Sequence, residues 1–166
     1  AVIRRILRRY PETVILATCR LKPHGGAFRG TYEQQLAILA DAVTTGAALV
    51  DVEIESAEKG PRHLEPLRER ARLVLSYHNF ERTPALTRVL QRLRKIPADI
   101  YKFAPMARKP SDNLRILSLP ASSGENNLVV LAMGETGAAA RILGLSRGSV
   151  FAFAAPCPKQ AISGAR

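Results

Sequence analysis

Short, almost continuous apolar runs alternate along the chain with segments whose apolar residues recur every three or four positions. The first pattern is typical of strands buried on both faces, and the second of helices with one buried side. The runs predict strands at residues 13–19, 48–54, 73–77, 99–103, 128–133 and 149–154. The spacings predict helices at residues 2–9, 31–45, 64–71, 84–95, 111–119 and 137–143. This strict alternation predicts an α/β architecture with a parallel sheet.

Local capping signals define several of the predicted helix ends. Thr31 and Gln34 have the spacing of a capping box at the start of the second helix. Thr83 and Ser111 are the expected N-caps of the fourth and fifth helices. Residues 120–127 are rich in polar and turn-forming types, so we expect a linker there.

The length and composition indicate one globular domain over residues 1–166. The chain has 166 residues, of which 46% are hydrophobic, enough for a substantial core, although a complete eight-unit barrel needs about 250 residues. No apolar run approaches the roughly 20 residues of a membrane span, which predicts a soluble protein. Cys19 and Cys157 are far apart and lie at or near the ends of apolar runs, which fits reduced thiols and a cytoplasmic location.

The formal net charge of +11 raises the hypothesis of a nucleic-acid partner. However, arginines occur on almost every predicted helix rather than in one stripe, and aromatic residues make up only 5% of the chain. Proteins that bind single strands combine a basic groove with stacking aromatic side chains. Solvated helix faces therefore explain the charge better than nucleic-acid binding, and part of it suits an anionic substrate.

Residues able to do chemistry lie where most of the predicted strands end. They are Arg20, Glu53, His78, Lys102 and Met133. In a barrel of alternating strands and helices, the carboxyl ends of the strands all face one mouth, so such residues converge. A doubly wound open sheet usually marks its ligand site by one glycine-rich turn. Here candidate residues follow nearly every predicted strand, which favours the (β/α)₈ TIM barrel type, with about six βα units in this chain.

Lys102 and His78 form a pair suited to imine chemistry. Lys102 has apolar neighbours, and a desolvated lysine can keep a neutral amine that attacks a ketone. An imidazole such as that of His78 can remove the proton next to the imine carbon and later return it. Taken singly, a lysine that extends to solvent and a structural histidine are the alternatives. Because the reaction needs both groups, the pair favours catalysis.

Charged residues around the pair have two interpretations. Asp51 and Glu53 are two positions apart, so their side chains share one face of a strand. A carboxylate there could pair with Lys102 and orient it, or form a structural ion pair. Arg20 and Arg141 are candidates for binding a substrate carboxylate, with ordinary salt bridges as the alternative.

Several motifs together resemble a known family. ATCR followed by GG, then DVEIE, SYHNFERTP, ADIYKFAPMA, SDNLRIL, AMGETGAAARILG and GSVFAFAAP occur in the order and spacing of type I 3-dehydroquinate dehydratase. The resemblance covers essentially the whole chain. It implies a (β/α)₈ barrel that dehydrates 3-dehydroquinate to 3-dehydroshikimate in the shikimate pathway of aromatic amino-acid biosynthesis. It also implies a lyase that uses a covalent imine and no metal or cofactor.

The same resemblance assigns roles to single residues. Lys102 falls on the family's Schiff-base lysine, and His78 falls on its general acid/base. Arg20 and Arg141 fall on arginines that bind the substrate, and Met133 falls on a strand end beside the pocket. The expected substrate-binding set is Arg20, Arg141, Glu53, Met133 and Gln160.

Two departures from the family lie at the expected site. His24 stands before Gly-Gly where the family has a glutamate that supports the catalytic histidine, and an imidazole cannot supply that fixed negative charge. The family's C-terminal Ser/Thr-Ala-Pro-Gly-Gln segment corresponds here to PCPKQ. Gln160 is retained, whereas Pro156 replaces the hydroxyl residue and Lys159 replaces the glycine.

The third departure is length. The family's first two strands and its last helix have no counterpart, so we expect a fragment or a truncated copy of the domain. Exposed parallel edges would invite association, with a homodimer as one candidate. The family also occurs fused to shikimate dehydrogenase, which is a second candidate partner. Two other functions stay open: a catalytically impaired barrel remnant or interaction module, and a basic domain that binds anions or nucleic acid.

Overall fold

The computed structural model describes residues 2–124 and 126–154. The strands in this part of the chain are β1 (Leu16–Thr18), β2 (Leu49–Glu53), β3 (Arg72–Asn79), β4 (Ile100–Pro105) and β5 (Leu128–Val130). The α-helices are α1 (Val2–Arg9), α2 (Tyr32–Thr44), α3 (Ile54–Ala57), α4 (Glu65–Arg68), α5 (Leu86–Leu93), α6 (Pro110–Ser123) and α7 (Ala138–Leu143). Short 3-10 helices occupy Lys22–His24, Pro61–Leu64 and Leu145–Arg147. The alternating order confirms the predicted α/β architecture.

The five strands form one parallel sheet in the order β1-β2-β3-β4-β5. Leu16 of β1 lies opposite Leu49 of β2, and Lys102 of β4 lies opposite Val129 of β5. Every residue of β2, β4 and β5 is buried. Burial along a whole strand requires cover on both faces of the sheet, which explains why these segments are continuous apolar runs.

The chain divides into two compact units. Unit 1 contains the residues up to Leu75 together with Ile96–Asp99, and unit 2 contains Ser76–Lys95 and the residues from Ile100 onward. Fully buried side chains form a core in each unit, with Leu39 as an example in unit 1 and Phe103 in unit 2. The single domain over residues 1–166 stays a prediction. No helix in the described part of the chain is long and apolar enough to cross a membrane.

The capping box predicted at the start of α2 is confirmed. The hydroxyl of Thr31 accepts a hydrogen bond from the backbone N–H of Gln34 at 3.3 Å, and the side chain of Gln34 accepts from the N–H of Thr31 at 2.9 Å. These reciprocal bonds satisfy two backbone donors that the helix itself cannot pair. With its start fixed in this way, α2 buries Tyr32, Gln35, Leu36 and Leu39.

The two other predicted N-caps are wrong. The hydroxyl of Thr83 donates to the backbone carbonyl of Met106 at 2.9 Å, and α5 begins three residues after Thr83. Ser111 lies inside α6 because the carboxylate of Asp112 pairs the exposed backbone donors instead, accepting from the N–H of Lys109 at 3.2 Å. In both cases a contact elsewhere in unit 2 overrides the local propensity of the hydroxyl residue.

Two predicted boundaries also differ. The helix expected at residues 64–71 is a 3-10 helix followed by the short α4. The linker expected at residues 120–127 begins later, because α6 continues through Pro120 to Ser123. Proline lacks an N–H and crowds the carbonyl four residues before it, yet α6 continues to Ser123, and Gly124, with a left-handed φ of 69°, then ends the helix.

The strand predicted at residues 149–154 is wrong for its described length, which has no regular secondary structure. The side chain of Ser149 explains the difference. Its hydroxyl accepts from the backbone N–H of Val130 at 3.1 Å and donates to the carbonyl of Phe151 at 3.1 Å. A side chain therefore occupies the N–H of β5 that a neighbouring strand would need.

Candidate active site

The predicted site residues are distributed over both units. Unit 1 contains Arg20 and Glu53, and unit 2 contains His78, Lys102, Met133 and Arg141. Gln160 lies outside the described residues, as do Pro156 and Lys159. Glu53 is the last residue of β2, and Arg20 lies two residues after β1. These two positions confirm that the residues occupy strand ends.

Lys102 does not end its strand, contrary to the prediction. It is the third residue of β4, which continues to Pro105. The backbone carbonyl of Phe103 accepts from Leu131 at 3.0 Å, and that of Pro105 accepts from Met133 at 2.8 Å. These bonds accompany a strand that continues two residues beyond the predicted end at residue 103. Lys102 therefore lies inside β4, with strand residues before and after it.

In unit 1, Arg20 lies between two buried carboxylates. Its Nη2 atom is 3.3 Å from Oδ2 of Asp51, and its Nε atom is 3.5 Å from Oε1 of Glu53. Both acidic residues are only 1% exposed. The geometry confirms that Asp51 and Glu53 share one face of β2, and it gives both of them Arg20 as a partner. The predicted pairing of a carboxylate with Lys102 stays a prediction.

Gln35 completes this cluster and was missed by the sequence analysis. Its Nε2 atom donates to Oε2 of Glu53 at 2.8 Å and to the carbonyl of Cys19 at 2.6 Å. The sequence feature that could have indicated it is the position of Gln35 on the apolar stripe of α2, four residues before Leu39. A polar residue on such a stripe needs buried partners, and the carboxylate at the end of β2 supplies one.

Burial dominates the electrostatics of Glu53. It raises the pKa of this carboxyl above its usual range, although the Arg20 guanidinium and the Gln35 amide act in the opposite direction. Burial also raises the pKa of the neighbouring Cys19 thiol, and the Glu53 carboxylate adds to the effect. The cluster of Arg20, Gln35, Asp51 and Glu53 therefore fixes one cation beside two carboxylates, one of which is easier to protonate than normal.

The loop after Arg20 requires its Gly-Gly pair. Gly25 has a φ of 79°, and a Cβ atom at Gly26 would overlap the carbonyl oxygen of Arg20. Only glycine fits so close to another backbone. His24, the residue before the pair, ends a 3-10 helix and lines an open cleft of about 900 Å³ in unit 1. Its predicted relation to the catalytic histidine stays a prediction.

In unit 2, the amine of Lys102 lies against an aromatic ring. Lys102 is only 6% exposed, so the alternative of a lysine extending to solvent is wrong. Its Nζ atom is 4.3 Å from the centroid of the Phe153 ring, and Phe151 meets Phe153 edge-on with the centroids 5.4 Å apart. The sequence analysis missed Phe153. The sequence feature that could have indicated this residue is the pair of phenylalanines two residues apart in GSVFAFAAP.

His78 lies near the end of β3, beside a loop held by side-chain contacts. Its imidazole is nearly parallel to the ring of Phe80, with the centroids 6.3 Å apart. The carboxamide oxygen of Asn79 accepts from the backbone N–H of Glu81 at 3.0 Å, and its nitrogen donates to the hydroxyl of Tyr77 at 3.0 Å. These contacts fix the chain on either side of His78, which restricts where its imidazole can point.

Met133 lies in the loop after β5, and Arg141, on α7, binds that loop. Nη1 of Arg141 donates to the carbonyls of Ala132 at 2.6 Å and Gly134 at 2.9 Å. Gly134 has a φ of 80°, and a Cβ atom there would lie 2.7 Å from the sulfur of Met106. Arg141 thus holds the loop that carries Met133, in addition to any role toward a substrate.

Comparisons with known proteins agree with this fold. A family model described as "Type I 3-dehydroquinase" matches residues 1–165. The 3-dehydroquinate dehydratase of Desulfotalea psychrophila is 37% identical over 148 residues, which cover 85% of this chain and 66% of that protein. The chain therefore spans just under two thirds of the length of this curated relative.

Solved structures confirm the predicted fold class, that of an α/β domain of the TIM barrel type. The 3-dehydroquinate dehydratase of Geobacillus kaustophilus HTA426 is 25% identical and superposes with a TM-score of 0.83, over 98% of this chain and 70% of that one. A structure of dehydroquinate dehydratase and shikimate dehydrogenase from S. pombe, 22% identical, shares the fold with a TM-score of 0.71, over 95% of this chain and 31% of that one. The chain belongs to the type I 3-dehydroquinase family.

Proposed function

We propose that the protein carrying this chain is a lyase that dehydrates 3-dehydroquinate to 3-dehydroshikimate in the shikimate pathway, through an imine formed on Lys102. The observation that carries the proposal is the amine of Lys102, which is buried in β4 and faces the ring of Phe153. Family membership and a curated relative named 3-dehydroquinate dehydratase support this choice of substrate.

In the first step, the neutral Nζ of Lys102 attacks the ketone carbon at C3 of the substrate. A C–N bond forms, and one proton moves from the nitrogen to the former carbonyl oxygen. That oxygen then takes a second proton from a general acid, the C–O bond breaks to release water, and the electron pair of the nitrogen completes a protonated imine. The positive nitrogen attracts electrons from the neighbouring carbon and thereby acidifies the proton on C2.

His78 acts as general base and then as general acid in the next steps. It removes the C2 proton, and the released electron pair forms an enamine. The enamine expels the hydroxyl group at C1, which leaves as water with the proton that His78 returns. Water hydrolyses the remaining iminium and restores Lys102, so the net change is the loss of one water molecule from the substrate.

The polar residues that flank these strands suit the binding of an anionic, hydroxylated substrate. Arg20 has its guanidinium fixed by Asp51 and Glu53, and Nη1 of Arg141 is fixed by two carbonyls. A fixed guanidinium loses less conformational freedom when it binds a carboxylate or a hydroxyl group. We assign substrate contacts to Arg20, Arg141, Glu53 and Met133, and a further contact to the amide of Gln160.

Conversion of 3-dehydroquinate by the complete protein tests this function. We expect turnover in the unsubstituted protein and none in Lys102→Ala, whereas Lys95→Ala, which removes an exposed lysine, keeps full activity. His78→Gln should slow turnover by about 10²- to 10⁴-fold, because it removes the acid/base. A complete protein that folds but converts no substrate would instead support the alternative of a catalytically impaired remnant.

The expected partners and location follow from the same proposal. We propose the cytoplasm as the site of the reaction, and a homodimer or a link to shikimate dehydrogenase as the assembly. Size measurement of the complete protein by light scattering tests the first form of assembly. Co-purification with an NADP-dependent activity on 3-dehydroshikimate tests the second.

A further inference from the structure

The ring of Phe153 has no role in the reaction as described, yet it faces the reacting nitrogen. Nζ of Lys102 lies 4.3 Å from the ring centroid, within the distance at which an aromatic face attracts a cation. The centroid of Phe151 lies 5.4 Å from that of Phe153, with an angle of 65° between the rings. This edge-on contact supports the orientation of the Phe153 face.

The chain reaches this position through contacts with β5. The backbone N–H of Val150 donates to the carbonyl of Leu128 at 2.8 Å, and the hydroxyl of Ser149 bonds both to Val130 and to Phe151. Residue Val129 of the same strand lies opposite Lys102 in the sheet. The segment that carries Phe153 is thus tied to the strand beside the lysine.

We propose that Phe153 is an electrostatic partner of the Lys102 nitrogen that keeps the covalent intermediate in its protonated, iminium form. This inference rests on the proposed function. A protonated imine withdraws electrons from C2, whereas a neutral imine does so far less. The face of a phenyl ring carries partial negative charge, so it favours the cation over the neutral imine.

A ring suits this task better than a carboxylate would. It attracts the positive nitrogen but has no lone pair that could accept the proton, so it cannot neutralise the iminium. It also excludes water from one side of the nitrogen, which strengthens the electrostatic attraction between cation and ring. The protonated imine therefore persists long enough for His78 to remove the C2 proton.

Replacing Phe153 with mono-, di- and trifluorophenylalanine in the complete enzyme tests the inference. Fluorine withdraws negative charge from the ring face while the shape changes little. We expect kcat, and the fraction of enzyme trapped by borohydride at saturating 3-dehydroquinate, to fall stepwise with each fluorine, by about 2- to 30-fold in total. The same substitutions at Phe151, in the same segment, should change both quantities less than about 2-fold.

Raman spectra of the enzyme with 3-dehydroshikimate give a second readout. The C=N band of a protonated imine shifts in heavy water, whereas that of a neutral imine does not. We expect a shifting band in the unsubstituted enzyme and a growing unshifted band as fluorines are added. A trapped adduct in the unsubstituted enzyme, with kcat, trapping and band unchanged by fluorination, would overturn this inference and leave the proposed function intact. No adduct in any form would contradict the proposed function itself.

Discussion

A partly buried cation in unit 1 and a buried cation in unit 2 have contrasting surroundings. Arg20 in unit 1 lies between the carboxylates of Asp51 and Glu53, with Gln35 bonded to the latter. Lys102 in unit 2 has its amine over the face of Phe153. Both residues were predicted at strand ends as candidates for chemistry, and the structure gives them very different partners.

The contrast is between a charge held by carboxylates and a charge that faces an aromatic ring. A guanidinium held by two carboxylates has little freedom to move, which suits binding and structural support. An amine against an aromatic ring is attracted while it is positive, but the ring forms no bond that a ketone must displace. The second arrangement suits a nucleophile that alternates between neutral and cationic forms.

Arg20→Met should have the largest effect on stability. It leaves Asp51 and Glu53 buried without their cation, which typically costs about 3–5 kcal/mol of unfolding free energy. Urea denaturation at neutral pH measures the loss. Arg29→Met, which removes an exposed arginine of the same unit, is the control and should change stability by less than about 0.5 kcal/mol. Equal effects of the two substitutions would show that the ion cluster does not support unit 1.

Gln35→Leu should follow, with a loss of about 1–3 kcal/mol. The substitution removes the amide that donates to Glu53 and to the carbonyl of Cys19, and leaves both acceptors buried. The same denaturation experiment measures it. Gln34→Leu is a neighbouring comparison on the exposed side of α2, expected to cost less because Gln34 caps the helix in contact with solvent. A smaller loss for Gln35→Leu than for Gln34→Leu would contradict the buried network.

Glu53→Gln should change how stability depends on pH. Because the folded pKa of Glu53 is raised, its favourable contribution is complete below the unfolded-state pKa of about 4.3 and disappears as pH rises through the folded pKa. The variant lacks this titration, so its stability relative to the unsubstituted protein should increase with pH across that window and then level off. Denaturation midpoints between acidic and neutral pH measure the difference, with the exposed Glu69→Gln as control. A constant difference at every pH would contradict the raised pKa.

Phe153→Leu should have the smallest effect on stability, below about 1 kcal/mol. The ring is 42% exposed, so little apolar area is lost from the fold. Thermal denaturation measures this change, and turnover of the same preparation measures function. A large loss of stability with unchanged turnover would assign to Phe153 the structural role that Arg20 has in unit 1.

Local sequence patterns predicted the parts of the molecule that depend on neighbours in the chain. The capping box of Thr31 and Gln34 was predicted from a spacing of three, and the shared face of Asp51 and Glu53 from a spacing of two. The position of Lys102 followed from its apolar run, but β4 continues past the predicted end because β5 pairs with it.

Contacts between distant residues could not be predicted in this way. Phe153 lies against the amine of Lys102, and Gln35 donates to Glu53; neither pair is linked by a helix or strand period. The hydroxyl of Ser149 replaces a strand's backbone contact, so an apolar run that has the pattern of a strand does not form one. The family motifs indicated which residues are candidates for a role. The structure was needed to show which side chains contact those residues.

The central claim, that Lys102 forms the covalent intermediate, is tested most directly by reducing the complete enzyme with borohydride in the presence of 3-dehydroquinate and locating the adduct by peptide mass spectrometry. The account predicts one stable adduct on the peptide that contains Lys102, and none in Lys102→Ala. An adduct on another lysine of an active enzyme, or active enzyme with no adduct, would contradict it.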